Sequence, residues 1–163
     1  MNMKKRHVLY LNLKKETVID SFDARTVSIS DSHSLGHLML EAYRNTVDYD
    51  GESLEDAILE IKGTLEGKYG NIIQEASYVI DLKNTIAAAV LWTINKNENM
   101  PLLTYAMTDP ALKNKGMSKY LIKKSLDTLY NLGYRQCFLV VTDGNQPAQS
   151  MYEKMGFMSK RLE

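Results

Sequence analysis

The sequence predicts an α+β or α/β domain in which one sheet is layered with helices on both faces. Three observations lead there. Several short runs alternate apolar and polar residues, as half-buried strands do, while longer runs repeat apolar residues every three or four positions, as amphipathic helices do. These runs follow one another as strand, two helices, three strands, helix, strand and helix, an order that builds a sheet covered by helices. At 163 residues, with no internal repeat, low-complexity tract or linker, the chain has the size of one domain.

Each element has its own warrant. Residues 7–13 alternate in their second half and read as a short strand, and after a stretch without period residues 26–30 read as a second. Asp31, Ser32 and Ser34 offer caps to a helix whose stripe is Leu35, Leu38, Met39 and Ala42, fading near Asn45. Ser53 caps a second helix with a buried face of Leu54, Ala57, Ile58, Ile61 and Leu65, ended by Gly67 and Gly70. Residues 76–82, 85–95 and 102–108 read as strands, with Lys83-Asn84 as a hairpin turn. Residues 116–132 form the longest helix, with Met117, Tyr120, Leu121, Leu126 and Leu129 inward and Lys119, Lys123 and Lys124 outward. Residues 136–141 are nearly all apolar and so imply a strand buried on both faces. Asp143-Gly144 then turns the chain into a last short helix at 146–155, stopped by Gly156.

Composition narrows the function classes. Twenty basic and twenty acidic residues balance, so no cationic field draws the molecule to nucleic acid or anionic lipid. No apolar run approaches the roughly 20 residues that span a bilayer, and the N-terminus has no signal-peptide core, so a cytoplasmic protein is expected. The single cysteine, Cys137, lies in an apolar run and reads as a buried, inert thiol. His33 and His37 have a metal-ligand spacing but no third partner, so no metal is expected. The nine methionines occupy core-like positions and imply packing.

Chemistry concentrates between residues 104 and 157. A strand ends at Asp109-Pro110, and Lys113-Asn114-Lys115-Gly116-Met117-Ser118 leads into the long helix. Free amides of a first helical turn, the helix dipole and a glycine that admits close approach make an anion site there. Lys113 and Lys115 add positive charge. The loop lacks the second glycine and Lys-Ser/Thr pair of a Walker loop, and two glycines of a dinucleotide fingerprint. After the apolar strand comes Asn145-Gln146-Pro147-Ala148-Gln149-Ser150-Met151-Tyr152-Glu153-Lys154-Met155-Gly156-Phe157. Asn145 is placed to cap the helix, Pro147 falls in its first turn, and Asn145, Ala148 and Tyr152 share one face.

On these residues the chain resembles the GNAT superfamily of N-acetyltransferases. Lys113–118 resembles that family's pyrophosphate loop, Gln/Arg-x-x-Gly-x-Gly/Ala, with Lys113 and Ser118 as departures. The family's Asn-x-x-Ala-x-x-x-Tyr-x-x-x-Gly-Phe is matched at each specified position from Asn145 to Phe157. The resemblance implies a mixed, mainly antiparallel sheet of about six strands and acetyl-coenzyme A as cosubstrate. It implies that the pantetheine arm pairs with backbone around Met107 and Thr108 and meets Asn145. The pyrophosphate then sits on Lys113, Asn114, Lys115, Gly116, Met117 and Ser118. A primary amine of a small molecule or peptide attacks the thioester directly, a strand amide near Met107 or Thr108 holds the oxyanion, and Tyr152 protonates the leaving thiolate.

Glu75, just before a strand, is the candidate base, against the alternative of a solvated strand-end charge; Asp109 reads as a turn residue. Asp48, Tyr49 and Asp50, in a loop that commonly borders the acceptor pocket in this family, would suit a cationic amine, against the alternative of a polar surface loop. A second reading is a non-catalytic coenzyme A-binding module, and a third a nucleotide-binding domain. The family usually adds a strand after the Gly-Phe pair, whereas only residues 158–163 follow Phe157. A very short strand, a truncated chain or one supplied by a neighbouring subunit is therefore expected, and with the last a homodimer.

Overall fold

The computed structural model describes residues 4–159. Six strands form one sheet: β1 (Arg6–Asn12), β2 (Arg25–Thr26), β3 (Tyr78–Leu82), β4 (Thr85–Asn95), β5 (Met100–Thr108) and β6 (Gln136–Thr142). Their spatial order is β1-β6-β5-β4-β3-β2, and every neighbouring pair is antiparallel except β5–β6, which is parallel. Helices α1 (Ser32–Tyr43) and α2 (Leu54–Leu65) bury Leu35, Leu38, Ala57 and Ile61 against one face. Helix α3 (Met117–Asn131) buries Leu121, Ile122, Leu126 and Leu129 on the other, in a core that also takes in Tyr152 of α4 (Gln146–Lys154) and Phe157.

Local chemistry accounts for these elements. Lys83 and Asn84 both take left-handed φ values, 50° and 65°, the geometry that joins β3 to β4 without splaying them. Ser53 and Asp56 close a reciprocal capping box on α2. β4 is the central strand, and Ala87, Ala88 and Ala89 are buried in it with helices over both faces. Between Leu91 and Trp92 the β4–β5 register shifts, pairing Leu91 with Tyr105 and Trp92 with Leu103, so Thr104 is the extra residue of a bulge.

Three expectations are corrected. The strand expected over 26–30 stops at Thr26, because Ser28 and Asp31 cap each other across a 3-10 turn at Ile29–Asp31. Asp31 is still the residue before α1, but its carboxylate binds the Ser28 amide and Arg25 in place of the helix. β6 is not buried throughout: Val140 is 43% exposed, because the sheet opens beside it. The place beside β6 is taken within the described residues. β1 fills it, in register from Arg6 opposite Thr142 to Asn12 opposite Gln136. Met158 adds one antiparallel bridge to Tyr10, on the outer edge of β1; residues 160–163 lie outside the described part.

Among the described residues no helix is long and apolar enough to cross a membrane, and no group of three His, Cys, Asp or Glu could hold a metal. The rings of His33 and His37 lie 4.9 Å apart.

Candidate functional site

β5 and β6 pair only at Leu102–Phe138 and Leu103–Leu139. Beyond that point they separate, and a cleft of about 640 Å³ opens between them and runs under α1 and α2. That volume suits a small-molecule site. Thr104, Tyr105 and Ala106 line it from β5, and Val140, Val141 and Thr142 from β6.

Separation leaves one edge of β5 without a strand partner. The Tyr43 hydroxyl donates to the Ala106 carbonyl at 3.4 Å from the cleft side, while the Asp109 amide donates to Ala87 on β4. Backbone groups alternate along a strand, so Ala106 and Thr108 face the open edge and Met107 faces β4. The Met107 side chain is buried against α1 and α2. Of the two β5 positions expected from sequence, Thr108 thus presents its backbone to the gap and Met107 does not, whereas Ala106 went unrecognised.

On α4, Asn145, Ala148 and Tyr152 all line the cleft from one helical face. Asn145 stands before the helix as expected, but its side chain makes no capping bond. Tyr152 is 8% exposed and packs edge-on to Phe157, with ring centroids 5.8 Å apart. Its hydroxyl has no hydrogen-bond partner among the described residues, and burial pushes its pKa up to about 12. Tyr43 is pushed up as well, by burial first and then by Tyr152 and Asp48.

The loop leading into α3 follows directly from the end of β5. Asp109 caps the turn at Pro110–Leu112 by accepting from the Ala111 amide, which fits a turn residue. Asn114 and Gly116 both take left-handed φ values, 66° and 84°. Left-handed residues interleaved with ordinary ones turn successive amides into a concave anion nest, here at the N-terminus of a 15-residue helix. A Cβ on Gly116 would meet nothing within 4 Å, so φ rather than crowding calls for glycine. Lys113, Asn114 and Lys115 are exposed, Ser118 is half-buried, and Met117 is buried, so Met117 offers the loop only its backbone.

The opposite wall is acidic. Asp48, Tyr49 and Asp50 line the cleft, joined by Glu52 and by Asp56 and Glu60 of α2. Asp48 accepts from the Thr142 hydroxyl at 2.6 Å, which ties the loop to the end of β6. Lys4 reaches Asp50 at 2.8 Å. Glu60 is the most heavily partnered: it accepts from the hydroxyls of Tyr69 and Tyr105 and from the Lys68 ammonium. Burial raises its pKa, but these three donors outweigh burial and leave it below the usual carboxylate range. Glu75 is not brought to this cleft. It sits exposed on the 3-10 turn at Gln74–Ala76, outside the lining, where the turn packs on α3.

Sequence reading missed Glu60, Tyr105, Tyr43 and Lys4. The one signal for Glu60 was its place three residues after Ala57 on a capped helix, which is also what a solvated glutamate looks like.

Residues 38–157 match the family model described as the acetyltransferase (GNAT) family. No match is found among curated proteins by sequence. Among solved structures, a GCN5-related N-acetyltransferase from Sphaerobacter thermophilus superposes with a TM-score of 0.70 at 14% identity, over 95% of this chain and 48% of that one. The chain therefore spans about half the length of that protein. The PaiA N-acetyltransferase of Thermoplasma acidophilum, solved with coenzyme A, gives 0.67 at 21% identity over 88% of this chain and 93% of its own. The ribosomal-protein-S18-alanine N-acetyltransferase of Escherichia coli gives 0.63 at 17%, over 83% and 77%. At these identities the likeness is one of fold.

Proposed function

The chain belongs to the acetyltransferase (GNAT) family, and from that premise we propose that it transfers an acetyl group from acetyl-coenzyme A to a primary amine in a ternary complex. The observation that carries the reading is the gap between β5 and β6, with the unpartnered Tyr152 hydroxyl on one side and carboxylates on the other. An extended pantetheine arm completes the open edge of β5 through Ala106 and Thr108, as an added strand does. The pyrophosphate accepts from the amides of Lys113, Asn114, Lys115, Gly116, Met117 and Ser118, with the two lysines adding charge. Asn145, free of capping duty, meets an amide of the arm.

In the acetyl transfer the amine lone pair attacks the thioester carbon, and the oxyanion accepts from a β5 amide on the open edge. The C–S bond breaks and Tyr152 donates to the sulfur. A buried phenol near pKa 12 is protonated at any physiological pH. The ammonium must first shed a proton. Asp48 lies within the cleft, beside Tyr43 and against Thr142, and replaces Glu75 as the proposed acceptor of that proton. Glu60, held ionised by its donors, supplies fixed negative charge for a cationic acceptor.

Two measurements test this reading. Calorimetry should detect acetyl-coenzyme A binding at about 300 μM, within the usual range of KM values; no heat at that concentration would refute it. An amine panel followed by free-thiol release should then find turnover with cationic primary amines. Binding without release from any amine would reduce the protein to a coenzyme A-binding module.

A further inference from the structure

Among the described residues Lys4 is the one lysine lining the cleft, and Arg6 the one arginine. β1 fixes it there. The Lys5 carbonyl accepts from the Asp143 amide at 2.7 Å, which clamps the start of β1 to the end of β6. From that clamp the Lys4 side chain, 31% exposed, crosses the mouth of the cleft to Asp50. A primary alkyl amine is thus already held against the acidic wall facing Tyr152.

We propose, resting on the acyl-transfer reading above, that the chain acetylates its own Lys4 within the cleft. The Lys4 ammonium leaves Asp50 and gives up a proton. The Nζ lone pair then attacks the acetyl carbonyl carbon. An amide C–N bond forms, the C–S bond breaks with its electron pair on sulfur, Nζ loses its second proton, and one proton is delivered to sulfur, the other leaving to solvent. The products are Nε-acetyl-lysine and coenzyme A, with no further reactant. Arg6 cannot substitute, because a guanidinium stays protonated and is no nucleophile. The four-carbon stem of lysine gives Nζ the reach to move from the mouth inward.

The modification alters the cleft it occurs in. Among the described residues, five carboxylates (Asp48, Asp50, Glu52, Asp56 and Glu60) face two cations, Lys4 and Arg6, along its lining. Acetylation removes one of the two cations and frees Asp50. An incoming ammonium then meets a stronger field, with Lys4 no longer competing for Asp50.

The test is incubation of the full chain with acetyl-coenzyme A, followed by peptide mapping over time. Lys4 should gain one acetyl group at least about tenfold faster than Lys83 and Lys96, exposed residues outside the cleft lining that report uncatalysed acetylation. The rate should not change on dilution, and Tyr152→Phe should slow Lys4 without slowing Lys83 or Lys96. Lys4→Arg should abolish the fast phase alone. Lys4 modified no faster than Lys83, in a preparation that releases thiol with free amines, overturns the proposal and leaves the acyl-transfer reading standing. A Lys4 rate that falls with dilution transfers the reaction to a second copy and overturns the contact within one chain. No thiol release with any amine, and no fast phase at Lys4, brings both down together.

Discussion

Tyr152 is held by packing alone, and that decides what it can do. With its pKa pushed up to about 12 by burial, above that of an alkyl thiol in water, full proton transfer to thiolate is uphill. The gap narrows in the cleft, because burial also makes a thiolate more basic; Cys137, pushed up by burial alone, shows the direction within this molecule. Tyr152 therefore acts as a hydrogen-bond donor whose proton follows the charge as it develops on sulfur. Tyr152→Phe is expected to lower kcat about 10- to 100-fold with KM for the amine little changed, measured by thiol release. The pH profile follows from the same value. Tyr152 stays in its acid form below about pH 12, so kcat/KM should rise with pH as the amine deprotonates, with no fall before about pH 10. A descending limb at pH 8 would remove Tyr152 from the donor role. Glu60→Gln takes away a fixed charge, and its effect belongs in binding: KM for a cationic amine should rise about tenfold with kcat preserved. These two residues differ in how far the sequence announced them. Tyr152 belongs to a local pattern, Asn145 to Phe157, whose spacing is a property of one helix. Glu60 is defined by Tyr69, Lys68 and Tyr105, which reach it from other segments, and no local pattern encodes such a meeting.

The elements that carry the acidic wall depend on how closely two helices approach. A Cβ on Gly36 of α1 would lie 2.4 Å from Ile58 Cγ1 and 2.8 Å from the Ile58 Cα of α2. The second contact is with backbone, so a rotamer change cannot relieve it. Gly36→Ala should cost about 1–3 kcal/mol in urea unfolding and shift α2, raising KM for the amine because Asp56 and Glu60 ride on that helix. Unchanged stability would mean that α1 and α2 separate freely. The start of α1 is anchored differently, by Arg25 bridging Asp31 and Asp81. Burial raises the Asp31 pKa, but Arg25 and the Ser28 amide outweigh it and leave it lowered. A depressed carboxyl contributes stability above its unfolded pKa near 3.9 and loses it as pH falls through the folded value. Asp31→Asn should therefore lower the melting temperature at pH 7 and flatten its decline below pH 4. Periodicity revealed both helices, the β3–β4 hairpin and α3 directly. It could not reveal the bulge at Thr104 or the end of β2 at Thr26, because both depend on where the chain's hydrogen bonds go rather than on which residues are apolar.

At the scale of the whole molecule, the cleft exists because β6 leaves β5, and β6 can leave only if something else holds it. β1 does this, although the sequence placed residues 7–13 merely as a strand without a partner. Strand pairing across 124 residues of chain leaves no local trace. The hydrogen-bonding face of β1 is fixed by three observations. Tyr10 exchanges both backbone bonds with Met158, whereas the Lys5 carbonyl and the Leu13 amide bond to Asp143 and Arg135 at the two ends of β6. Odd-numbered residues therefore face β6 and even-numbered ones face the outer edge. His7 and Val8 are adjacent, both on the outside of the core, and differ chiefly in this respect. Proline at an outward-facing edge position removes little, while proline facing a neighbouring strand deletes a ladder bond and strands its acceptor. His7→Pro should lower unfolding free energy by about 3 kcal/mol and weaken amine binding, because Val141, its partner on β6, lines the cleft. Val8→Pro should cost less than about 1 kcal/mol and leave binding near the parent value. Equal losses from the two would place β1 in another register. They would also free β6 to pair differently, so the separation from β5 that makes the cleft would no longer follow from how β1 is seated.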